Sequence, residues 1–555
     1  MNRKLESEAS AGASVCGVEN VSLAHEITPL VAAASTTTSA EGEANLKTAR
    51  HFLYVSHFFA QFSECVWQFA LILMLGAVTN YESLTVLSTY GLAAGLAVCL
   101  FGATTGRFVD RVNRLKAAQW FIWTENVCVL LATCCCYFLL SIHSDDDDTT
   151  LHTQADNENW FQQRLSGVPL DTKSVLLLIG IHLFGPIAKI LDKGFLVAIE
   201  RDWVVVMSQG ALAGQKTWLS ETNVAMKQID LSCRVAAPAV AGFVIAAFDT
   251  SSSSSGGADG SKEQHHYGQD LKGAAILVGA INVAALAVEY ICTAHIYTLV
   301  PALAVKVVPT KVPNIRELDE EDQQADKPVP SRKPYETGCG FFKLPQGLSV
   351  YLEQPVSWSG LGLAMLYLNS LSFGALMTAY LVWRGMRLES VGIWRGISSV
   401  IGLAGTFVYH ASVKRMTVVS TGMWSICYQF TCLSLCFASL FVNDFDQSMA
   451  MLIAGACASR IGLWVFDISV TQLMQEFIPD GIRGVVGGTQ QSLNAFFQLL
   501  SFAVGLVFPD PRKFHINVAA GYSAVGVAAI MYALGVYRRQ DIFLTNDEKE
   551  RRRAV

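Results

Sequence analysis

Residues 84–116 read LTVLSTYGLAAGLAVCLFGATTGRFVDRVNRLK. The run from Leu84 to Gly106 is apolar and long enough to cross a hydrocarbon layer of about 30 Å as a helix that satisfies its own backbone. It ends in Gly106-Arg-Phe-Val-Asp110-Arg111-Val-Asn-Arg114-Leu-Lys116, and a second apolar run, Leu115 to Ile142, begins at once. Gly106 permits close approach of a neighbouring helix. Asp110 is placed to accept from the amino end of the next helix, and the basic residues to contact neighbouring segments.

The same pattern recurs along the chain. The 555 residues are 52% hydrophobic and 15% charged, with a mean hydropathy of +0.36. That balance excludes a water-soluble surface around one core. About twelve spans are predicted. Six precede a long polar interruption: Phe52–Val78, Leu84–Gly106, Leu115–Ile142, Ser174–Ile199, Val224–Phe248 and Ala274–Val300. Six follow it: Val356–Val382, Val391–Tyr409, Val418–Phe441, Met449–Met474, Val485–Phe508 and Val518–Val536. The interruption runs from Pro301 to about Gln354 and carries Lys306, Lys311, Arg316, Lys327, Arg332, Lys333 and Lys343. The expected organisation is a disordered tail (1–50), an N-lobe (51–300), a linker (301–354), a C-lobe (355–537) and a second tail (538–555). The fold class is all-α integral membrane.

Basic residues concentrate in both termini, in the turn with Arg111, Arg114 and Lys116, and in the linker, which assigns these segments to the cytosol. Asp145 to Asp148 and the run Ser251 to Ser255 fall on the other side, with Arg384, Arg387, Arg512 and Lys513 as basic exceptions. Glu6, Glu8, Glu19, Glu26, Glu41 and Glu43 make the first fifty residues too acidic for an organellar transit peptide. Most of the 14 cysteines sit inside spans, so no disulfide framework is expected. The net charge of −6 is spread over loops on both sides and points to no nucleic-acid partner. No Ser/His/Asp set, HExxH, P-loop or dinucleotide fingerprint stands in its structural context, so no enzyme is expected.

A charge at mid-bilayer costs at least about 2.5 kcal/mol and persists only beside a cavity, a partner or a ligand. Glu64 in the first span, Glu125 in the third, and Asn282 and Glu289 two turns apart in the sixth are therefore candidates. Oxygen donors converging from three helices suit a hard divalent cation. The alternative is that these acids are protonated, or paired with Lys189, Lys193 or Lys227. Glu200-Arg201-Asp202-Trp203 closes span four, and Asn223, Lys227 and Asp230 share one face of span five. With Asp110, Arg114, Arg460 and Asp467 they form an expected ionic latch at the cytosolic mouth, against the alternative of static salt bridges.

The Gly106–Lys116 turn resembles the loop signature of major facilitator transporters, which implies two six-helix bundles. Residues 50–57 (RHFLYVSH), 199–206 (IERDWVVV), 300–306 (VPALAVK) and 460–467 (RIGLWVFD) resemble the ferroportin family of cellular iron exporters, in the same order. The resemblance implies ferrous iron export by alternating access with one metal site per lobe. For the N-lobe site the family uses an Asp and a His on the first helix, where this chain reads Glu64 and Gln68. For the C-lobe site it uses a Cys in a broken seventh helix and a His on the eleventh, where this chain reads Ala375 and Ser501. Neither is a comparable ligand, and without the Cys no peptide-hormone regulation is expected. Some family members hold calcium in the N-lobe, on positions that read Glu64, Glu125, Asn282 and Glu289 here. Glu125 stands where the family has Gln, so the cluster is more anionic.

Weaker candidates are His57 and Cys65, which face Glu64 poorly, and His265-His266 in an external Ser/Gly-rich loop. Gly374 and Gly385 are candidates for preserving the break in span seven. The expected function is export of Fe2+, with Ca2+ as a regulatory ion and no prosthetic group. The alternatives are cobalt, nickel, manganese or an organic or chelated cargo on the same fold, or a membrane scaffold or cation sensor that transports nothing. The plasma membrane is the expected location, an endomembrane the alternative.

Overall fold

Lipid offers no partner for backbone polar groups, so a chain of this composition folds as helices that close their own hydrogen bonds. The computed structural model describes residues 39–78, 85–146, 171–211, 215–253, 263–306, 346–368, 371, 377, 380–381, 384, 386, 388–507 and 513–543. In chain order the N-lobe helices are α1 (Ser39–Val78), α2 (Thr85–Arg111), α3 (Arg114–Asp146), α4 (Thr172–Leu196), α5 (Val204–Gln209), α6 (Gln215–Ser253) and α7 (Glu263–Leu299). A π-helical segment, Val197–Trp203, joins α4 to α5. The C-lobe comprises α8 (Gln346–Leu352), α9 (Ser357–Met365), α10 (Leu388–Val413), α11 (Val418–Ala438), α12 (Phe445–Phe477), α13 (Arg483–Val507) and α14 (Phe514–Gly535).

Among the described residues, nine helical stretches are long and apolar enough to cross a membrane. The spans expected at Val224–Phe248 and Val485–Phe508 correspond to α6 and α13, and span seven is described only in part. Side chains start three of the helices where polar residues stand in the preceding turns. Asp171 caps α4 by accepting from Lys173 N at 3.3 Å, Thr417 caps α11, and Asp444 caps α12 from Gln447 N at 2.8 Å.

Part of the segment expected as a tail over 1–50 falls within the described residues. Residues 39–50 are already helical, because Leu46 and Ala49 bury themselves with Leu53 against Phe121, Phe195 and Trp203. A second N-lobe core gathers Trp67, Met74, Leu139 and Ile181. The C-lobe core runs through Tyr351, Ile426, Leu433, Phe466 and Tyr532.

The lobes meet along two seams. In one, α2 lies against α13; in the other, α6 packs on α10 and α12. The first seam is backbone against backbone. A Cβ on Gly102 would lie 2.7 Å from Gly488 O, and one on Gly106 would strike Gly484 O. The second is closed by an apolar cluster of Val224, Tyr409, Val465 and Ile468 drawn from both lobes.

Candidate metal centre

Four helices of the N-lobe bring the intramembrane acids together. Glu64 on α1 is buried, as are Asn282 and Glu289 on α7 and Asp192 on α4; Glu125 on α3 is half-buried. Glu125 lies within electrostatic reach of Asp192, Glu289 and Glu64, and Glu289 within reach of Asp192. Glu64 is not bare. Its Oε1 accepts from Lys189 Nζ at 2.5 Å and from Gln68 Nε2 at 2.5 Å. Lys189 also approaches Asp192 at 3.4 Å, and Lys193 reaches it at 3.0 Å. The lysine pairing weighed as an alternative is thus present in this conformation. It does not exhaust the charge, since four carboxylates face two ammonium groups and leave an excess of two negative charges when all are ionised.

Asp192 was not anticipated. Its signal is in the sequence, an acid in span four between Lys189 and Lys193. Gln68 occupies the position one turn beyond Glu64 and donates to it, so it orients the acid. Ser501 is buried on α13. Gly374, Ala375 and Gly385 lie outside the described residues. His265 and His266, expected in a loop, belong to the first turns of α7.

At the end of the molecule carrying the α2–α3 turn, the expected latch resolves into two groups. One is internal to the N-lobe. Arg114 grips Asp202 with both Nε (2.8 Å) and Nη2 (2.9 Å) and donates to the carbonyls of Leu303 and Val305. Lys306 completes it, donating to Val109 O and Val112 O and standing 3.8 Å from Asp202. Burial holds this ammonium below the usual lysine range, against the pull of Asp202.

The other group crosses between lobes. Asp110 accepts from Gly484 N and Val485 N. Arg201 donates to the carbonyl and hydroxyl of Thr471. Asn223 and Gln475 exchange hydrogen bonds at 2.6 and 3.1 Å. Lys227 pairs with Asp467 at 2.9 Å and Gln228 donates to Thr406. Arg460 joins neither group: it donates to Ala456 O of its own helix and to Leu371 O, inside the C-lobe. Nor does Asp110 cap the next helix. Asn113 does that, accepting from Leu115 N at 3.0 Å, because the Asp110 face of α2 is the one pressed on α13.

His57 meets Asp230 rather than Glu64, with Nε2 2.7 Å from Oδ1. Asp230 therefore looks into its own lobe and touches the crossing group only through Lys227, 3.5 Å away.

The chain is similar over most of its length to known proteins. The family model Ferroportin1 (FPN1) matches residues 47–255 and 268–525. Solute carrier family 40 member 1 of Oryza sativa subsp. japonica is 31% identical over 494 residues, covering 88% of this chain and 92% of that protein. Ferroportin of Homo sapiens is 26% identical over 571 residues, covering 88% of this chain and 91% of that protein. Among solved structures, a bacterial homologue of the iron transporter ferroportin in its outward-facing state superposes with a TM-score of 0.66 at 19% identity, covering 88% of this chain and 99% of that one. A major facilitator transporter, FucP, in the outward conformation superposes with a TM-score of 0.53 at 12% identity, covering 89% of this chain and 99% of that one. The architecture is therefore that of the major facilitator superfamily, and the chain is a multi-pass membrane protein that belongs to the ferroportin family.

Proposed function

We propose that this protein exports a divalent metal ion, ferrous iron foremost, from the cytosol by rocking its two lobes about the N-lobe acids, with no chemical turnover of the cargo. The observation that carries this reading is the convergence of the carboxyl groups of Glu64, Glu125, Asp192 and Glu289 from four helices, which outnumber the ammonium groups of Lys189 and Lys193. Carboxyl groups buried together in a lobe ionise only when a cation joins them, which makes them a place for a divalent ion to bind. Iron as the cargo is supported by the likeness to a bacterial homologue of the iron transporter ferroportin.

In this reading an arriving ion displaces the Lys189 ammonium from Glu64, and the displaced ammonium falls back on Asp192. The cluster then carries the ion while the crossing group at the cytosolic end opens and recloses. Radio-iron efflux from proteoliposomes tests it, comparing wild type with Glu64→Ala/Glu125→Ala/Glu289→Ala at equal abundance. Efflux lost in the variant supports the proposal; no iron flux from folded wild type overturns it.

One observation favours a second cargo. With Gln68 donating to Glu64, the donors named so far are all oxygens, a set better matched to manganese than to iron. Flux of Mn2+ exceeding Fe2+ in the same vesicles would select that reading, and Ca2+ that binds without crossing would mark the site as regulatory. We place the protein at the plasma membrane, free of peptide-hormone control.

A further inference from the structure

The His57 ring is 1% exposed, and its Nδ1 is buried without a hydrogen-bond partner. Nε2 lies 2.7 Å from Asp230 Oδ1, and with no partner fixing Nδ1 the ring's proton can move there, freeing Nε2 to share an ion with that carboxylate. Glu200 completes the neighbourhood: ligand atoms of His57, Glu200 and Asp230 lie within 4.8 Å of one another. A contraction of about one ångström would close such a set on an ion with bonds of about 2.0–2.2 Å. Glu200 can supply that movement, because its side chain is only half-buried and sits in the π-helical segment Val197–Trp203, a geometry frequent at functional sites.

Both acidic residues are tied to the C-lobe, Glu200 by its backbone and Asp230 through Lys227. The carbonyl of Glu200 accepts from Gln475 Nε2 at 2.6 Å. Asp230 stands 3.5 Å from Lys227, whose ammonium bonds Asp467 at 2.9 Å. Arg234 adds a second positive field on Asp230, and both cations lie over the Trp464 ring of the C-lobe, at 5.4 and 5.9 Å. These two cations oppose metal binding while the lobes are closed on this side. Separating the lobes takes away Asp467 and Trp464, the groups that hold Lys227 in place.

We propose that His57, Glu200 and Asp230 form a second cation site of the N-lobe, distinct from the Glu64 cluster, that takes a borderline divalent transition metal when the lobes part at the cytosolic end. One imidazole with two carboxylates selects Fe2+, Co2+ or Zn2+ over Ca2+ and Mg2+. The site supplies the nitrogen donor that the Glu64 cluster lacks, and its filling competes with Lys227 for Asp230, so metal loading and lobe closure oppose each other.

The test uses the purified full-length chain and does not depend on flux. A Glu64→Gln/Glu125→Gln/Glu289→Gln background removes the first site, and Co2+ is titrated by its visible absorption with excess Ca2+ present. We expect one Co2+ per chain with a nitrogen-ligated spectrum. Adding Glu200→Gln should weaken binding about tenfold or more. Adding Lys227→Met instead should tighten it, a gain that damage to the fold would not produce. No Co2+ bound in the background, or affinity indifferent to both further changes, overturns the proposal. If radio-iron efflux fails while Co2+ binds here, the cargo reading falls and this site stands.

Discussion

Asp110 of the N-lobe accepts two backbone hydrogen bonds from the first turn of α13 in the C-lobe, Gly484 N and Val485 N, each at 2.7 Å. A carboxylate at a helix amino terminus answers both the unpaired N–H groups and the positive end of the helix dipole. This bond exists only while the lobes are together. Hydrogen bonds to charged groups contribute about 1.5–3 kcal/mol each, so Asp110→Asn should shift the closed population by about tenfold or more. Hydrogen exchange followed by mass spectrometry should show faster exchange at residues 484–485, with the C-lobe core around Ile426 and Phe466 unchanged. Unaltered protection at 484–485 would mean that the carboxylate does not hold the seam.

The glycines behind that bond set how closely α2 and α13 can lie. A side chain at Gly106 collides with the backbone of Gly484, which has no rotamer through which to yield. Gly106→Leu should leave both lobes folded and the seam open. A cysteine at Thr471, on the surface that Arg201 covers across the lobes, should then react several-fold faster with an impermeant maleimide supplied from the side carrying the α2–α3 turn.

Arg114 and Asp202 predict the opposite behaviour, because both belong to one lobe. Arg114→Met leaves the buried Asp202 carboxylate with only Lys306, 3.8 Å away, and should cost about 3 kcal/mol of N-lobe stability. The double variant Arg114→Met/Asp202→Leu should recover part of it, since it removes the under-paired carboxylate while Lys306 keeps its carbonyl partners. Thermal unfolding in detergent measures this. A double variant as unstable as the single one would indicate that the carbonyl contacts of Arg114 matter more than the ion pair.

These cases mark where the sequence was legible and where it was not. Helix class, lobe order and the inward acids follow from long apolar runs and from the cost of burying charge, which act locally and leave a plain pattern. Partner choice does not. Asp110 could cap α3 as well as α13, and only the packing of Gly106 on Gly484 turns it to the far lobe. Arg460 carries the same charge as Arg201, yet its place on α12 aims it at Leu371 in its own lobe while Arg201 crosses to Thr471. His57 looked isolated because Asp230 is 173 residues away in sequence. The helix from Ser39 to Arg50 was hidden by a polar composition that tertiary burial of Leu46 and Ala49 overrides.

Lys189 offers the sharpest test of how the acid cluster works. Its ammonium sits 2.5 Å from Glu64 and 3.4 Å from Asp192, where a divalent ion would have to compete with it. Lys189→Gln keeps a hydrogen-bond donor in place and raises the excess of negative charge by one. Binding of Mn2+ to the purified protein, followed by titration calorimetry, should tighten by about tenfold or more, since each 1.4 kcal/mol of removed repulsion is one decade. Efflux should slow at the same time, because release requires a cation to take the ion's place beside Glu64. Tighter binding with faster efflux would show that Lys189 is a barrier to the ion; unchanged binding would show that the ion does not touch Glu64 at all.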